Sequence, residues 1–189
     1  MAYVKRSIFW QGISGTVGDT LTFRVRKGRT FVSVKRGPST KPPTDAQQEA
    51  NKRFVMASLF AQDAMKDPAI KALYQKAAKG GQTAYNVAVR DAMSPPVISW
   101  IDVGGYKRTL GDIITIKARD VIAPRSVTVI IFSQAGTILE QGDAVIKTND
   151  SRFWIYTVTT ANAIISGNRL VVTATDLPGN KAEQTFTIP

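Results

Sequence analysis

Residues 20–36 have the sequence TLTFRVRKGRTFVSVKR, in which two alternating stretches flank Lys27-Gly28. A period of two is typical of β-strands, and a two-residue loop with glycine favours a tight hairpin turn. This loop length fixes the register, with Phe23 opposite Val32 and Arg24 opposite Phe31. One face of the predicted hairpin is then apolar, and its residues are Leu21, Phe23, Val25, Val32 and Val34.

The opposite face of the predicted hairpin is basic. Arg26 lies opposite Arg29, a like-charge pair that costs stability unless an anion neutralises it. Basic groups around an aromatic ring suit a sugar-phosphate backbone and a stacked base. The predicted nucleic-acid-binding residues are Arg24, Arg26, Lys27, Arg29, Phe31, Lys35 and Lys41. The alternative to binding is an intramolecular cation–π contact, in which Arg24 lies over the Phe31 ring. We also expect Asp19 and Arg36 to form an ion pair at the base of the hairpin.

Positive charge is concentrated at the start of the chain. The 189 residues carry a formal net charge of +11, of which residues 1–94 contribute +10 and residues 95–189 contribute +1. Residues 1–43 hold nine basic side chains against the single acid Asp19. This asymmetry indicates an anion-binding portion joined to a neutral portion, and a merely solvated surface is the alternative.

Three helices are expected after the hairpin. Residues 44–47 form a capping box, Asp67-Pro68 begins a second helix that Gly80-Gly81 ends, and residues 83–92 form a third. Helical spacing predicts the core-facing residues: Ala50, Phe54, Ala57, Ala61 and Met65, then Ile70, Leu73 and Ala77, then Tyr85, Ala88, Val89 and Ala92.

Ser94-Pro95-Pro96 ends the helical pattern, because proline lacks an N–H and biases its predecessor toward extended conformations. Eight short stretches typical of strands follow, at residues 97–102, 112–119, 126–133, 137–141, 144–148, 152–159, 169–175 and 181–188. They predict a sandwich whose core includes Trp100, Ile114, Ile116, Val129, Ile131, Phe153, Ile155, Leu170 and Val172, although a phase shift of one residue would turn any of them outward. We therefore predict two domains: an α+β domain of a β-hairpin and short helices at residues 1–94, and an all-β sandwich at residues 95–189.

The last two predicted strands resemble the end of bacterial immunoglobulin-like domains. Residues 171–188, VVTATDLPGNKAEQTFTI, contain a strand ending in Thr-Ala-Thr-Asp, a Gly-Asn turn and a final Thr-rich strand. The resemblance implies an immunoglobulin-like (fibronectin III-like) sandwich over residues 95–189. Such domains serve as spacers and adhesive modules, so the resemblance informs the fold more than the function.

The first half is similar to uncharacterised bacterial and phage-associated proteins. The shared pattern is a Gly-rich strand at residues 15–18, a basic hairpin, a Pro-Thr-x-Ala-Gln helix start at residues 43–47 and a Tyr-Asn helix at Tyr85-Asn86. The resemblance covers about 75 residues of this chain and implies no activity.

The composition argues against catalysis and metal binding. The chain has no Cys and no His, which removes the commonest general base and the commonest metal ligands. Residues 12–16, GISGT, imitate a nucleophile elbow, but Thr16 stands where the second glycine belongs. Asp143, Asn149 and Asp150 match no calcium-loop spacing. We therefore predict a non-enzymatic protein with no cofactor and no metal.

Two function classes follow from these observations. The first is a two-domain binding protein whose basic first domain contacts a polyanion, nucleic acid foremost. The second is a structural or adhesive protein, phage-derived or surface-associated, that contacts other proteins through both domains. No apolar run is long enough for a transmembrane segment or a secretion signal, so a cytoplasmic location without membrane insertion is expected. The oligomeric state stays open.

Overall fold

The chain forms two compact units, Met1–Gln48 and Glu49–Pro189. The computed structural model describes residues 2–3, 10, 12–39, 41–161 and 167–188. We call Met1–Gln48 the hairpin unit and Glu49–Pro189 the sandwich unit. The sandwich unit holds most of the helical residues and a seven-stranded sheet. The predicted change from helix to strand occurs at residues 94–96, whereas the division between compact units lies earlier, between Gln48 and Glu49.

The hairpin unit contains a four-stranded antiparallel sheet. Its strands are β1 (Ala2–Tyr3), β2 (Gly15–Val17), β3 (Leu21–Arg26) and β4 (Arg29–Val34), in the order β1-β4-β3-β2. The register of β3 and β4 is the predicted one, with Phe23 opposite Val32, Arg24 opposite Phe31 and Arg26 opposite Arg29. The local sequence was sufficient here because a two-residue turn leaves one register for the pairs beside it.

The turn between β3 and β4 requires left-handed backbone at both positions. Lys27 has φ 51° and Gly28 has φ 70°, the combination of a type I′ turn. We expect Gly28→Ala to destabilise the hairpin by about 1–2 kcal/mol, because a Cβ is disfavoured in this conformation. Faster amide hydrogen exchange in β3 and β4 would show the loss. Gly37→Ala is the control, since Gly37 lies outside the left-handed region with open space around it, and unchanged exchange in both variants would contradict the expectation.

The apolar face of the hairpin is formed, but only its centre is buried. Phe23 and Thr30 are buried, and the Trp10 ring stacks on Phe23 with the centroids 5.3 Å apart. The backbone N–H of Gly12 donates to the Thr30 hydroxyl over 3.0 Å. Val34, by contrast, is 75% exposed.

Three helices follow: α1 (Asp45–Ala64), α2 (Pro68–Ala77) and α3 (Ala84–Met93). The predicted capping box is present before α1, with Thr44 N donating to Gln47 Oε1 over 3.0 Å and Gln47 N to Thr44 Oγ1 over 3.3 Å. The Asp67 carboxylate caps α2 as predicted, accepting from two backbone N–H groups. Among the described residues, no helix is both long and apolar enough to cross a membrane.

The predicted buried faces of the helices are correct only in part. Ala57, Ala61 and Ala88 are buried as predicted. In α1 the apolar stripe is open toward the N-terminus, where Ala50 and Phe54 are exposed. In α2 and α3 the predicted Ile70, Ala77, Tyr85 and Val89 are half-buried against the core cluster, whereas Leu73 is exposed. The residues buried beyond the prediction are Tyr74, Val87 and Asp91. The physical reason is the hydrogen-bonded pair of Tyr74 and Asp91, two polar groups that a search for apolar spacing does not select.

The sandwich unit has seven strands: β5 (Val97–Asp102), β6 (Ile113–Arg119), β7 (Ser126–Phe132), β8 (Ile138–Lys147), β9 (Asp150–Thr157), β10 (Arg169–Thr175) and β11 (Lys181–Thr187). Their order is β11-β10-β7-β8-β9-β6-β5. The predicted strands 137–141 and 144–148 are one strand, β8, which pairs with β7 up to Ala144 and with β9 from Val145 onward. This strand therefore joins the two halves of a sandwich-like fold.

The sandwich core contains six of the predicted core residues: Ile114, Ile116, Val129, Ile131, Leu170 and Val172. Three predictions were wrong in phase. Trp100 is exposed, and Phe153 and Ile155 alternate with the buried Trp154 and Tyr156. Phe153 and Ile155 were assigned to the wrong side because both faces of β9 are apolar, so alternation in that strand does not reveal the inner side. Trp100 follows a register shift in β5 between Ile98 and Trp100, and the next residue, Ile101, is the buried one.

We expect residues 95–189 to fold alone as a cooperative all-β unit. The sandwich core lies entirely within this segment, from Ile101 to Ile188. The separate core cluster of the helices also packs against Val121, Ile122 and Leu177, which the shorter segment would expose. The segment should therefore unfold in one transition at lower stability than residues 49–189, and helical circular dichroism or the absence of a thermal transition would contradict this.

Candidate functional site

The tip of the β3–β4 hairpin collects basic side chains. Residues directly opposite each other in an antiparallel pair share a face, so the register places Arg24, Arg26, Arg29 and Phe31 together. Lys27 occupies the turn itself. The four cationic side chains are exposed, and Phe31 is half-buried. Five of the seven residues predicted from the sequence therefore lie on one face or at its turn.

The positive charge of this tip has no acid near it in the sequence. The sequence contains no acidic residue between Asp19 and Asp45. Within the described ranges, Arg24, Arg26 and Lys27 form no ion pair. The tip therefore presents a positive potential to solvent, and a polyanion could neutralise it by direct contact.

Lys35 has a partner that was not predicted. Its ammonium nitrogen lies 2.5 Å from the Asp19 carboxylate, so the expected Asp19–Arg36 pair is wrong. The reason is that Asp19 lies in a 3-10 turn, Gly18–Thr20, and not in a strand, so its side chain reaches Lys35, whose backbone N–H donates to Thr20 O over 2.8 Å. Lys35 therefore forms an ion pair with Asp19 at the base of the hairpin.

Lys41 lies outside the hairpin strands. It follows β4 in the segment before α1, where the Ser39 hydroxyl donates to the Lys41 carbonyl over 3.1 Å. The structure does not place Lys41 in the register that gathers the residues of the tip. We therefore restrict the candidate site to the basic tip, defined as Arg24, Arg26, Lys27, Arg29 and Phe31.

Asp143 and Asp150, the acids near strand ends, are each engaged by a nearby side chain. Asp143 accepts from the Thr128 hydroxyl over 3.0 Å, and Asp150 is held by Arg152 over 2.7 Å. In the part of the chain that the structure describes, no three acidic side chains are grouped to hold a metal ion. Residues 15–17 form the exposed strand β2 and not the strand-to-helix turn that a nucleophile elbow requires.

A cluster of acidic side chains in the sandwich unit was not predicted from the sequence. The Tyr74 hydroxyl donates to Asp91 Oδ2 over 2.7 Å, while Asp91 Oδ1 is buried with no hydrogen-bond partner among the described residues. Burial raises the pKa of Asp91 to about 6, against the opposing effect of the Tyr74 hydrogen bond. Asp120 and Asp176 lie close enough to raise it further. No motif indicates this cluster, since its members are far apart in the chain.

The acidic cluster joins the helices to the sandwich strands within the sandwich unit. Asp176 accepts from Asn180 N over 2.6 Å and from Asn180 Nδ2 over 2.7 Å. The same Asn180 amide donates to the Ala92 carbonyl over 3.2 Å, at the end of α3. Burial also raises the pKa of Asp120. These contacts give the cluster a structural role.

No family model matches the chain, and no curated protein matches it. Among solved structures, CopC from Methylosinus trichosporium OB3b is 10% identical with a TM-score of 0.34, covering 48% of this chain and 88% of that chain. A tetra-tandem repeat from the extending region of a large adhesion protein is 17% identical with a TM-score of 0.36, covering 50% of this chain and 25% of that one. The N-terminal part of the bacterial S-layer protein SbsC is 16% identical with a TM-score of 0.28, covering 76% and 42%. TM-scores of this size establish neither a shared fold nor a shared function.

Proposed function

We propose that this protein is a non-enzymatic binding protein whose basic tip contacts a polyanion, and that the polyanion is nucleic acid. The observation that carries the proposal is the exposure of Arg24 and Arg26 on one face of β3 beside Lys27 in the turn, on strands without an acid. Among the described residues these three cations form no ion pair, so their positive charges repel one another and a bound phosphate reduces that cost. Binding and relief of repulsion therefore favour each other.

The chemistry of the tip favours contacts with phosphate over contacts with base edges. Arginine donates in a fork that matches a phosphate group, and lysine supplies a compact charge. Such contacts position a protein on nucleic acid without carrying sequence information. We therefore expect binding with little sequence selectivity.

A salt titration tests the proposal. We expect the intact protein to bind a duplex or a single strand at about 50 mM salt with micromolar affinity, and to lose affinity steeply as salt rises, because bound phosphates release counterions. With four cations in contact, the affinity for duplex should fall by about two orders of magnitude between roughly 50 and 200 mM salt. No binding at the lower concentration would refute the proposal.

A second candidate is the structural or adhesive role, in which the protein contacts other proteins. The observation that favours it is the open apolar face of the hairpin, where Leu21, Val25 and Val34 are exposed. Such contacts should persist at high salt, where phosphate contacts fail. Sedimentation at high salt separates the two: concentration-dependent association that Val34→Thr removes would support this role, and a monomer at every concentration would contradict it.

The proposal also includes the fold family of the sandwich at residues 95–189. We infer that residues 95–189 form an immunoglobulin-like domain, supported by seven strands that cover the eight predicted stretches and by the antiparallel pairing of β10 with β11 across residues 176–180. A cytoplasmic location stays a prediction from the sequence.

A further inference from the structure

An aromatic and cationic row crosses the outer face of the sandwich unit. Trp100 on β5 is paired with Lys117 on β6, and Lys117 is paired with Phe153 on β9. These residues alternate with the buried Ile101, Ile116 and Trp154, so the row faces away from the core. We call Trp100, Lys117 and Phe153, with Lys147 of the neighbouring strand β8, the outer platform.

The two rings of the outer platform are not equivalent. The rings of Trp100 and Phe153 meet edge to face at 6.4 Å between centroids. The ammonium groups of Lys117 and Lys147 lie 5.4 and 6.0 Å from the Phe153 centroid, so this ring already makes cation–π contacts with both lysines. The Trp100 side chain is 46% exposed and borders a depression of about 420 Å³ that Ser99 also lines. The indole is therefore the ring available for stacking.

Two lysines flank the indole, and the acids on this side of the sheet are engaged by other groups. Lys117 and Lys147 form no ion pair among the residues that the structure describes. Asp102, on the same face of β5 as Trp100, accepts from Gly104 N over 2.9 Å. Asp150, whose pKa the Lys117 charge helps to lower, is bound by Arg152 through both carboxylate oxygens. An anionic ligand that also offers a flat face would satisfy both the cations and the indole.

We propose that the outer platform binds an unpaired base of a single-stranded nucleic acid, which stacks on Trp100 while Lys117 and Lys147 contact the flanking phosphates. Every base has a π face, and stacking on aromatic side chains beside cations is how single strands are bound without sequence preference. A duplex keeps its bases stacked on each other and offers only phosphates. This inference rests on the proposed function and adds to it a preference for single strands, located in a different unit from the basic tip.

The test uses the full chain, an oligothymidylate, and a duplex of equal length. We expect Trp100→Ala to weaken single-strand binding about tenfold, within the range measured for loss of one stacked base, and to leave duplex binding unchanged. Trp100→Phe should retain most of the affinity but lose the fluorescence quenching that a base stacked on the indole produces. Phe54→Ala is the matched control, because it removes another exposed aromatic side chain of the same unit.

The outcomes separate this inference from the proposal about the basic tip. Equal loss of single-strand and duplex binding in Trp100→Ala, or no loss in either, would overturn the outer platform and leave the basic tip intact. A dependence on Trp100 for heparin equal to that for oligothymidylate would also overturn it, because heparin has no bases. Failure of every nucleic acid to bind at about 50 mM salt would refute the basic tip itself.

Discussion

Replacing Arg24 and Arg26 with Ser and Lys27 with Asn should remove most duplex binding while the hairpin stays folded. Each lost phosphate contact lowers the slope of log affinity against log salt by about 0.9, so the three changes should lower it by about 2.7. A slope lower by about 2.7 corresponds to roughly a thousandfold weaker binding at about 50 mM salt. Fluorescence anisotropy of a labelled duplex over a salt series gives both quantities.

The fold should tolerate these three changes. Arg24 and Arg26 project from the face opposite the buried Phe23, so the contact with Trp10 is untouched. Fewer like charges on this face should leave the stability of the hairpin unchanged or raise it by up to about 1 kcal/mol. Asparagine at position 27 accepts the left-handed backbone observed for Lys27 more readily than most residues do.

A matched control removes the same charge elsewhere. Lys71, Lys76 and Lys79 are exposed residues on and just after α2, and changing all three to Ser also lowers the net charge by three. If the basic tip binds through contact, the control should keep nearly the full salt slope. Equal weakening in both variants would mean that net charge alone attracts the polyanion, and unchanged binding in the tip variant would mean that the tip is only a solvated surface.

Local chemistry explains which parts of the fold could be predicted. The hairpin register follows from Lys27-Gly28, and the caps of α1 and α2 follow from Thr44 and Asp67, because each involves residues a few positions apart. Strand positions in the sandwich follow equally from turn residues and β-branched runs. The ion pair of Lys35 with Asp19 could not be predicted by pairing alone, since side chains reach diagonally across a hairpin end.

Contacts between distant segments explain what could not be predicted. The outer platform needs β5, β6 and β9 side by side, and no spacing in the sequence indicates that Trp100 and Phe153 meet. The inward side of α2 is set by the bond between Tyr74 and Asp91, which joins two helices. In both cases the deciding partner lies on another element, whereas periodicity reports only on the element itself.

The pair of Tyr74 and Asp91 has a consequence for stability that depends on pH. Asp91 is 1% exposed, and its burial raises the pKa to about 6, compared with about 3.9 in an unfolded chain. The Tyr74 hydroxyl and the Arg90 guanidinium act to lower this pKa, and the Asp120 and Asp176 carboxylates act to raise it. The folded state therefore binds a proton at Asp91 that the unfolded state has already released between about pH 4 and pH 6.

Stability should consequently fall as pH rises through this window. The stability that protonated Asp91 contributes is fully present below about pH 4 and is lost as pH passes the folded pKa near 6. The difference between the folded and the unfolded pKa corresponds to about 3 kcal/mol. Asp91→Asn keeps an oxygen to accept from Tyr74 and cannot ionise, so it should raise the free energy of unfolding at pH 7 by up to about 3 kcal/mol and remove this part of the pH dependence. Urea denaturation from pH 4 to pH 7 measures the difference, and Asp63→Asn, at an exposed acid of α1, should keep the wild-type profile. An Asp91→Asn profile parallel to that of the wild type would show that Asp91 does not take up a proton in this range.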